Sequence, residues 1–332
     1  MNVIPPIDRP RVTVTAPARL HLGFLDLNGE LGRRFGGVGL SIGGLRTRIM
    51  VEMAAHTNIE GPEGERAGRY LDAMRHALDV RGHHHLTVEE VVPAHSGLGS
   101  GTQLALAIAA GLRTLHDLPL DVRGDAVRLG RGGRSGTGIG LFEQGGLVVD
   151  GGHGASEAAP PIVSRIAVPT HWRVIVVLDP SRQGVHGPGE SAAFAALPRF
   201  SGDDAARLCR LVLMKALPAL AESDIENFGA AIKELQAVLG DHYAPAQGNN
   251  RFASPAVAAC LDTLDRAGAH GIGQSSWGPT GFAFASSPEE AERLADIVRR
   301  DERNRGLDIR VCPALNHGAD IAHAHAVAPE QK

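Results

Sequence analysis

Residues 93–102 read PAHSGLGSGT, a glycine turn that follows a strand-like run and opens a long Ala/Leu stretch. A turn of this kind leaves the first backbone N–H groups of the helix unpaired and aims them at one point. Together with the positive end of the helix dipole they form an anion site. Gly97, Gly99 and Gly101 let a ligand approach the backbone, with Leu98 between them, and Ser100 and Thr102 add hydroxyls for a phosphate or a metal ion. His95 is either a ligand-facing or a turn-stabilising imidazole. The Gly-Lys-Ser/Thr of a Walker loop is missing. The bland alternative is a glycine turn that merely caps a buried helix.

Other candidates are spread along the chain. Arg19 and His21 fall on one side of a strand with Gly23, and Arg19 suits a phosphate or carboxylate clamp. Asp26 ends that strand, where a turn cap is the simple reading. Arg33 and Arg34 lie in a loop, as surface charge or as a closing anion grip. Arg131 and Arg134 in GRGGRSG have glycines clearing space around them. Glu190 follows GVHGPG, as a functional carboxylate or a helix N-terminal acid. Gln274, Ser275 and Ser276 are expected to face a ligand, and Trp277 either stacks on one or packs internally. The His run at 83–85 and His317, His323 and His325 have no regular ligand context and are read as exposed.

The elements that position these residues follow from periodicity. Alternation predicts strands at 11–16, 19–27, 47–53, 85–92, 145–152 and 172–179, with a late strand in LDIRVCPA. Asn28 to Gly44 reads as a glycine-dense loop, and 271–285 as a glycine-rich turn entering a strand. Helices are predicted over 64–80 and from about Ser100 to Leu115. Further helices start at Ser201 with Asp204, at Ser223 with Glu226, and at Ser287-Pro288, the last running through Arg300. Strands and helices mix without steady alternation, which points to an α+β fold.

Composition narrows the class. With 332 residues and 43% hydrophobic content, the chain can bury a sizeable core. A net charge of −4 argues against a nucleic-acid partner. The positive charge is nearly all arginine, which suits bidentate anion binding. Cys209, Cys260 and Cys312 lie far apart and read as reduced thiols. No run reaches the length of a membrane span, and the N-terminus lacks a signal-peptide core. The expectation is a cytoplasmic protein with no membrane partner.

The motif P-x-x-x-G-L-G-S at 93–100 resembles the central motif of the GHMP kinase superfamily, relatives of galactokinase, homoserine kinase and mevalonate kinase. APARLHLGF at 16–24 matches the N-terminal motif, with Arg19 where those kinases often carry Lys. GQSSWGPTGFAF at 273–284 sits where the third motif belongs. The resemblance implies a two-domain GHMP-kinase-like fold with a helix-rich, ferredoxin-like C-terminal domain. Its expected domains are 1–180, carrying the phosphate loop, and 181–332.

The segment GRGGRSGTGIGLFEQGG departs from the kinases. Gly138 stands where they often carry an Asp that manages the acceptor hydroxyl's proton. That segment, RLHLGFLDLNGELGRRFGGVGLSI and GQSSWGPTGFAF together resemble a non-kinase branch, the β-ribofuranosylaminobenzene 5′-phosphate synthases. This resemblance implies a decarboxylating ribosyl transfer in tetrahydromethanopterin biosynthesis. Phosphoribosyl pyrophosphate and 4-aminobenzoate or 4-hydroxybenzoate would give a C-riboside 5′-phosphate, CO2 and pyrophosphate, with Mg2+ and in a homodimer.

The roles implied are specific. Asp26, Arg19 and Glu190 would be catalytic, Asp26 as the carboxylate beside the ribosyl cation. His21, Arg33, His95, the 97–102 turn, Arg131, Arg134 and Gln274 to Trp277 would bind substrate, with Ser100 and Thr102 near the metal. An ATP-dependent small-molecule kinase and an inactive sensor on the same scaffold are the competing readings.

Overall fold

A computed structural model describes residues 10–184 and 187–324. The chain runs β1 (Arg11–Asp26), β2 (Phe35–Ala54), β3 (Asn58–Glu60), α1 (Gly64–Ala77), β4 (His83–Glu90) and α2 (Ser100–Leu115). Next come α3 (Val122–Arg128), α4 (Thr137–Gln144), β5 (Leu147–Asp150), β6 (Ile162–Ile166) and β7 (Arg173–Leu178). Helices α5 (Gly187–Ala196), α6 (Gly202–Leu211), α7 (Leu217–Ala221), α8 (Ile225–Tyr243) and α9 (Pro255–Arg266) follow. The chain continues through β8 (His270–Gln274), β9 (Gly281–Ala285), α10 (Pro288–Arg299), β10 (Asp308–Pro313) and β11 (Asp320–Ala324).

The first sheet has the order β11-β1-β2-β4-β3, with β5 on β2 and β6 on β5. The second is antiparallel, β10-β7-β9-β8. In order of appearance that is 4-1-3-2, the ferredoxin-like arrangement with helices in its crossovers. The architecture is therefore α+β. The sheets do not divide at residue 180: β7 precedes it yet belongs to the second sheet, and β11 returns to pair with β1. Leu20 and Leu22 of β1, Phe228 and Leu235 of α8, and Phe282 of β9 share one buried core, so both sheets pack against common side chains. No helix among the described residues is long and apolar enough to cross a membrane.

Local signals set most helix starts. Ser201 accepts from the amides of Asp203 and Asp204, and Ser287 accepts from Glu290 N. At α8 the cap is Asp224, not Ser223, which takes a left-handed φ of 60° one residue earlier. Two larger departures have tertiary causes. Residues 35–44 are strand, not loop: a Cβ at Gly37 would lie 2.7 Å from Ser135 Oγ, and one at Gly39 2.7 Å from Thr137 Cβ. The glycines there let α4 and its entry turn press onto β2. The 83–85 histidines lie in β4, where His84 is fully buried and its Nε2 sits 2.8 Å from His116 Nε2.

Candidate active site

The anion turn is fixed by three long-range ties. Arg19 N donates to Leu98 O at 3.1 Å, and Gly184 N to His95 O at 2.8 Å. Ser275 Oγ accepts from His21 N at 3.0 Å and donates to Gly97 O at 2.8 Å. One hydroxyl thus joins β1, the turn and the β8–β9 loop. The turn needs its glycines: Gly97 has φ 87°, and a Cβ there would lie 2.3 Å from Ser275 O. Gly99, at φ 80°, starts α2 without a side-chain cap, so the first amides of the helix stay available to an anion.

The turn forms one wall of a cleft with two connected halves. The first, about 380 Å3, is lined by the 97–102 turn with Arg66, His95, Arg131, Ser276 and Trp277. The second, about 490 Å3, is lined by His21, Phe24 and the 130–135 loop with Arg134 and Ser135. Arg19, Thr102, Arg131 and Ser276 line both. The Arg19 stem lies against the turn, since a Cβ on Gly99 would approach its Cγ to 2.6 Å. Arg131 packs on Tyr70, its guanidinium carbon 5.1 Å from the ring centre and an Nη hydrogen-bonded to the hydroxyl. Arg134 lies 5.1 Å over the Phe194 ring of α5.

The described lining thus holds Arg19, Arg66, Arg131 and Arg134 and no carboxylate. Such a cleft favours a ligand with several negative charges, held by guanidinium forks at one end and helix amides at the other. His21 is 2% exposed, and burial together with Arg19 pushes its pKa well below the usual histidine value. It is therefore neutral where a free imidazole would titrate.

Several expected residues lie elsewhere or act differently. Asp26 is not in the lining: its Oδ1 accepts from Asn28 N at 2.8 Å and Gly29 N at 2.9 Å, which makes it a turn cap. Arg33 also points away, donating to the carbonyls of Gly151 and Gly152 at 2.7 and 2.6 Å. Leu98 contributes only backbone, its side chain being fully buried. Ser275 is the buried tie just described, not a ligand-facing hydroxyl. Gln274 is engaged with Ala253 N, Gln247 Oε1 and Ser276 O. Trp277 is 3% exposed and packs on Tyr243 and Phe194, 4.7 and 4.9 Å between ring centres, while still lining the first half. Glu190 lies on α5, and its side chain falls outside the described residues. Asp26→Asn is accordingly expected to keep a steady-state rate within a few-fold of wild type, because the amide oxygen can accept the same two bonds; a hundredfold loss would put the carboxylate back in the chemistry.

Arg66 is the charged residue of the described lining that the sequence did not single out. It sits on α1 between Glu63 Oε2 at 3.2 Å and His95 Nε2 at 3.3 Å. On a helical pattern it looks like an ordinary solvated charge. Only the packing of α1 beside the turn brings it to the cleft.

Among the described residues no group of three or more His, Cys, Asp or Glu is placed to hold a metal ion. Ser100 and Thr102 line the first half of the cleft with neutral hydroxyls among arginines.

The two sheets, the uncapped turn and the arginine cleft define a GHMP-type scaffold. Models of the GHMP kinases N terminal domain and the GHMP kinases C terminal match residues 65–141 and 216–304. Homoserine kinase from Cytophaga hutchinsonii superposes with a TM-score of 0.67 at 15% identity, covering 97% of this chain and 100% of that one. Mevalonate diphosphate decarboxylase from Staphylococcus aureus gives 0.65 at 14% identity, covering 95% and 98%. At the sequence level, the β-ribofuranosylphenol 5′-phosphate synthase of Methanothermobacter thermautotrophicus is 34% identical, over 88% of this chain and 97% of its own. That of Archaeoglobus fulgidus is also 34% identical, over 92% and 97%. The chain belongs to this family of pentosyltransferases within the GHMP superfamily. It is an enzyme of the ribosyltransferase type.

Proposed function

We propose that the protein joins phosphoribosyl pyrophosphate to 4-hydroxybenzoate, releasing CO2 and pyrophosphate and leaving a C-riboside 5′-phosphate for methanopterin biosynthesis. The observation that carries this reading is the two-part cleft lined by Arg19, Arg66, Arg131 and Arg134 without a described carboxylate. A ribosyl donor with phosphate at one end and diphosphate at the other presents anions to both halves at once. The turn amides and Arg19 would take up the charge that grows on the departing diphosphate. The attacking atom is a ring carbon, so no carboxylate is needed at Gly138 to deprotonate an acceptor hydroxyl. Relatives named for a phenol product favour the hydroxy acid over 4-aminobenzoate. Any Mg2+ would arrive as the counter-ion of the donor, and we take the enzyme to be a homodimer in the cytoplasm.

The direct test measures CO2 and pyrophosphate released from phosphoribosyl pyrophosphate with each benzoate. Stoichiometric release of both with 4-hydroxybenzoate is expected; ADP formation from ATP with a sugar or amino alcohol would favour the kinase instead. Binding gives a second check. Phosphoribosyl pyrophosphate with Mg2+ at a hundred times its Kd should stabilise the fold by about 2.7 kcal/mol in a thermal shift. ATP should do far less, and Mg2+ alone should leave Tm unchanged. A shift with the metal alone would reveal a resident site.

A further inference from the structure

His21, in the lining of the second half of the cleft, carries a ring nitrogen with no hydrogen-bond partner. His21 Nε2 is buried and has no hydrogen-bond partner, in a side chain that is 2% exposed. His21 is a lining residue of the arginine cleft and also of a narrow recess formed with Phe24, Tyr243, Gln274 and Trp277. Its ring centre lies 4.5 Å from that of Phe24. Arg19, Arg131 and Arg134 line the same half, and none of them can accept a proton. His95 is the other imidazole of the cleft, and its Nε2 lies 3.3 Å from an Arg66 Nη, a donor-only group, so its lone pair is engaged. His21 is thus a residue of the described lining with an uncommitted ring nitrogen, its neutral imidazole has one nitrogen able to accept a proton, and it borders aromatic surface suited to a benzoate ring.

We propose that His21 accepts the proton of the acceptor's para-hydroxyl as the ring attacks the ribosyl carbon, and returns it once CO2 has left. The assignment rests on the ribosyl transfer proposed above. In the first step a carbon–carbon bond forms between ribose C1 and the ring carbon that bears the carboxylate. The C1–O bond to diphosphate breaks, and its electron pair leaves with the diphosphate. The para O–H proton passes to His21, leaving a neutral cyclohexadienone ring. In the second step the bond to the carboxylate breaks, CO2 departs, and the electron pair restores the aromatic ring as a phenolate. The phenolate then takes the proton back from the imidazolium.

A weakly basic imidazole is adequate for this. The hydroxyl becomes strongly acidic only as positive charge enters the ring, so proton transfer helps in the transition state and not before. Burial and Arg19 keep His21 neutral and ready to accept at ordinary pH.

His21→Gln keeps a hydrogen-bonding side chain but cannot carry the proton. With phosphoribosyl pyrophosphate and 4-hydroxybenzoate its kcat should fall on the order of a hundredfold, with the donor KM nearly unchanged. With 3,5-difluoro-4-hydroxybenzoate, whose hydroxyl ionises without help, the ratio of variant to wild-type kcat should recover at least tenfold. An equal ratio for both acceptors, or a normal rate with the first, overturns the assignment. Should the variant not fold, wild-type enzyme with 4-methoxybenzoate decides it: this acceptor should inhibit competitively yet turn over at least a hundredfold more slowly. Methoxy turnover near the hydroxy rate overturns the role of His21. If wild type releases no CO2 with 4-hydroxybenzoate, the ribosyl-transfer reading itself falls, and the assignment with it.

Discussion

Gly138→Asp is expected to lower kcat/KM for the ribosyl donor by two to three orders of magnitude, on the order of the loss of one key charge-stabilising group. A Cβ on Gly138 would lie 3.1 Å from Thr102 Cγ2 and 3.7 Å from Arg19 Nε. An Asp carboxylate at that point reaches the Arg19 guanidinium and occupies it with an internal ion pair. The donor then meets a cleft that has lost a cation and gained an anion. Kinase activity with ATP should not appear. Gly138→Ala separates charge from bulk: Thr102 need give only a few tenths of an ångström, so its kcat/KM should stay within a few-fold of wild type. Near-normal activity in the Asp variant would show that the donor does not use this part of the cleft.

Arg19→Ala carries the second large effect, a drop in kcat/KM of about a thousandfold. Arg19 lines both halves of the cleft, so its loss weakens the grip on either end of a doubly anionic donor. Arg19→Lys should restore only part of the rate, because a compact ammonium cannot span two oxygens as a guanidinium fork does. Single-turnover rates and thermal melts on the same samples would separate catalysis from folding, since the Arg19 stem also lies against the turn at Gly99. Lysine equal to arginine would show that Arg19 acts as a point charge alone.

The Asp26 and Arg33 assignments illustrate where sequence reasoning stopped. Both have the right chemistry and lie next to the first motif, yet each is consumed by backbone: Asp26 by the Asn28 and Gly29 amides, Arg33 by the Gly151 and Gly152 carbonyls. The first of these turns spans only three residues and was visible as an alternative. The second joins positions more than a hundred residues apart and left no local mark. Similarly, the 83–85 histidines looked like a polar loop, whereas His84 finds its partner His116 across the helix–sheet packing.

What the sequence determined by itself was set by contacts within a few residues. The extent of α2, the Ser201 and Ser287 caps, the uncapped glycine turn, and the three motifs in their order all follow from side-chain-to-backbone chemistry within about one turn of chain. The tertiary structure alone decided which of those groups meet. Ser275 reaches His21 across 254 residues and Gly97 across 178, so a hydroxyl that reads as a ligand becomes the tie that shapes the turn. Arg66 enters the cleft because α1 packs beside α2, and His21 loses its charge because the fold buries it next to Arg19. The physical reason is the same in each case. Local propensity fixes a residue's backbone, but the burial and partners that set its charge state and role come from segments distant in sequence.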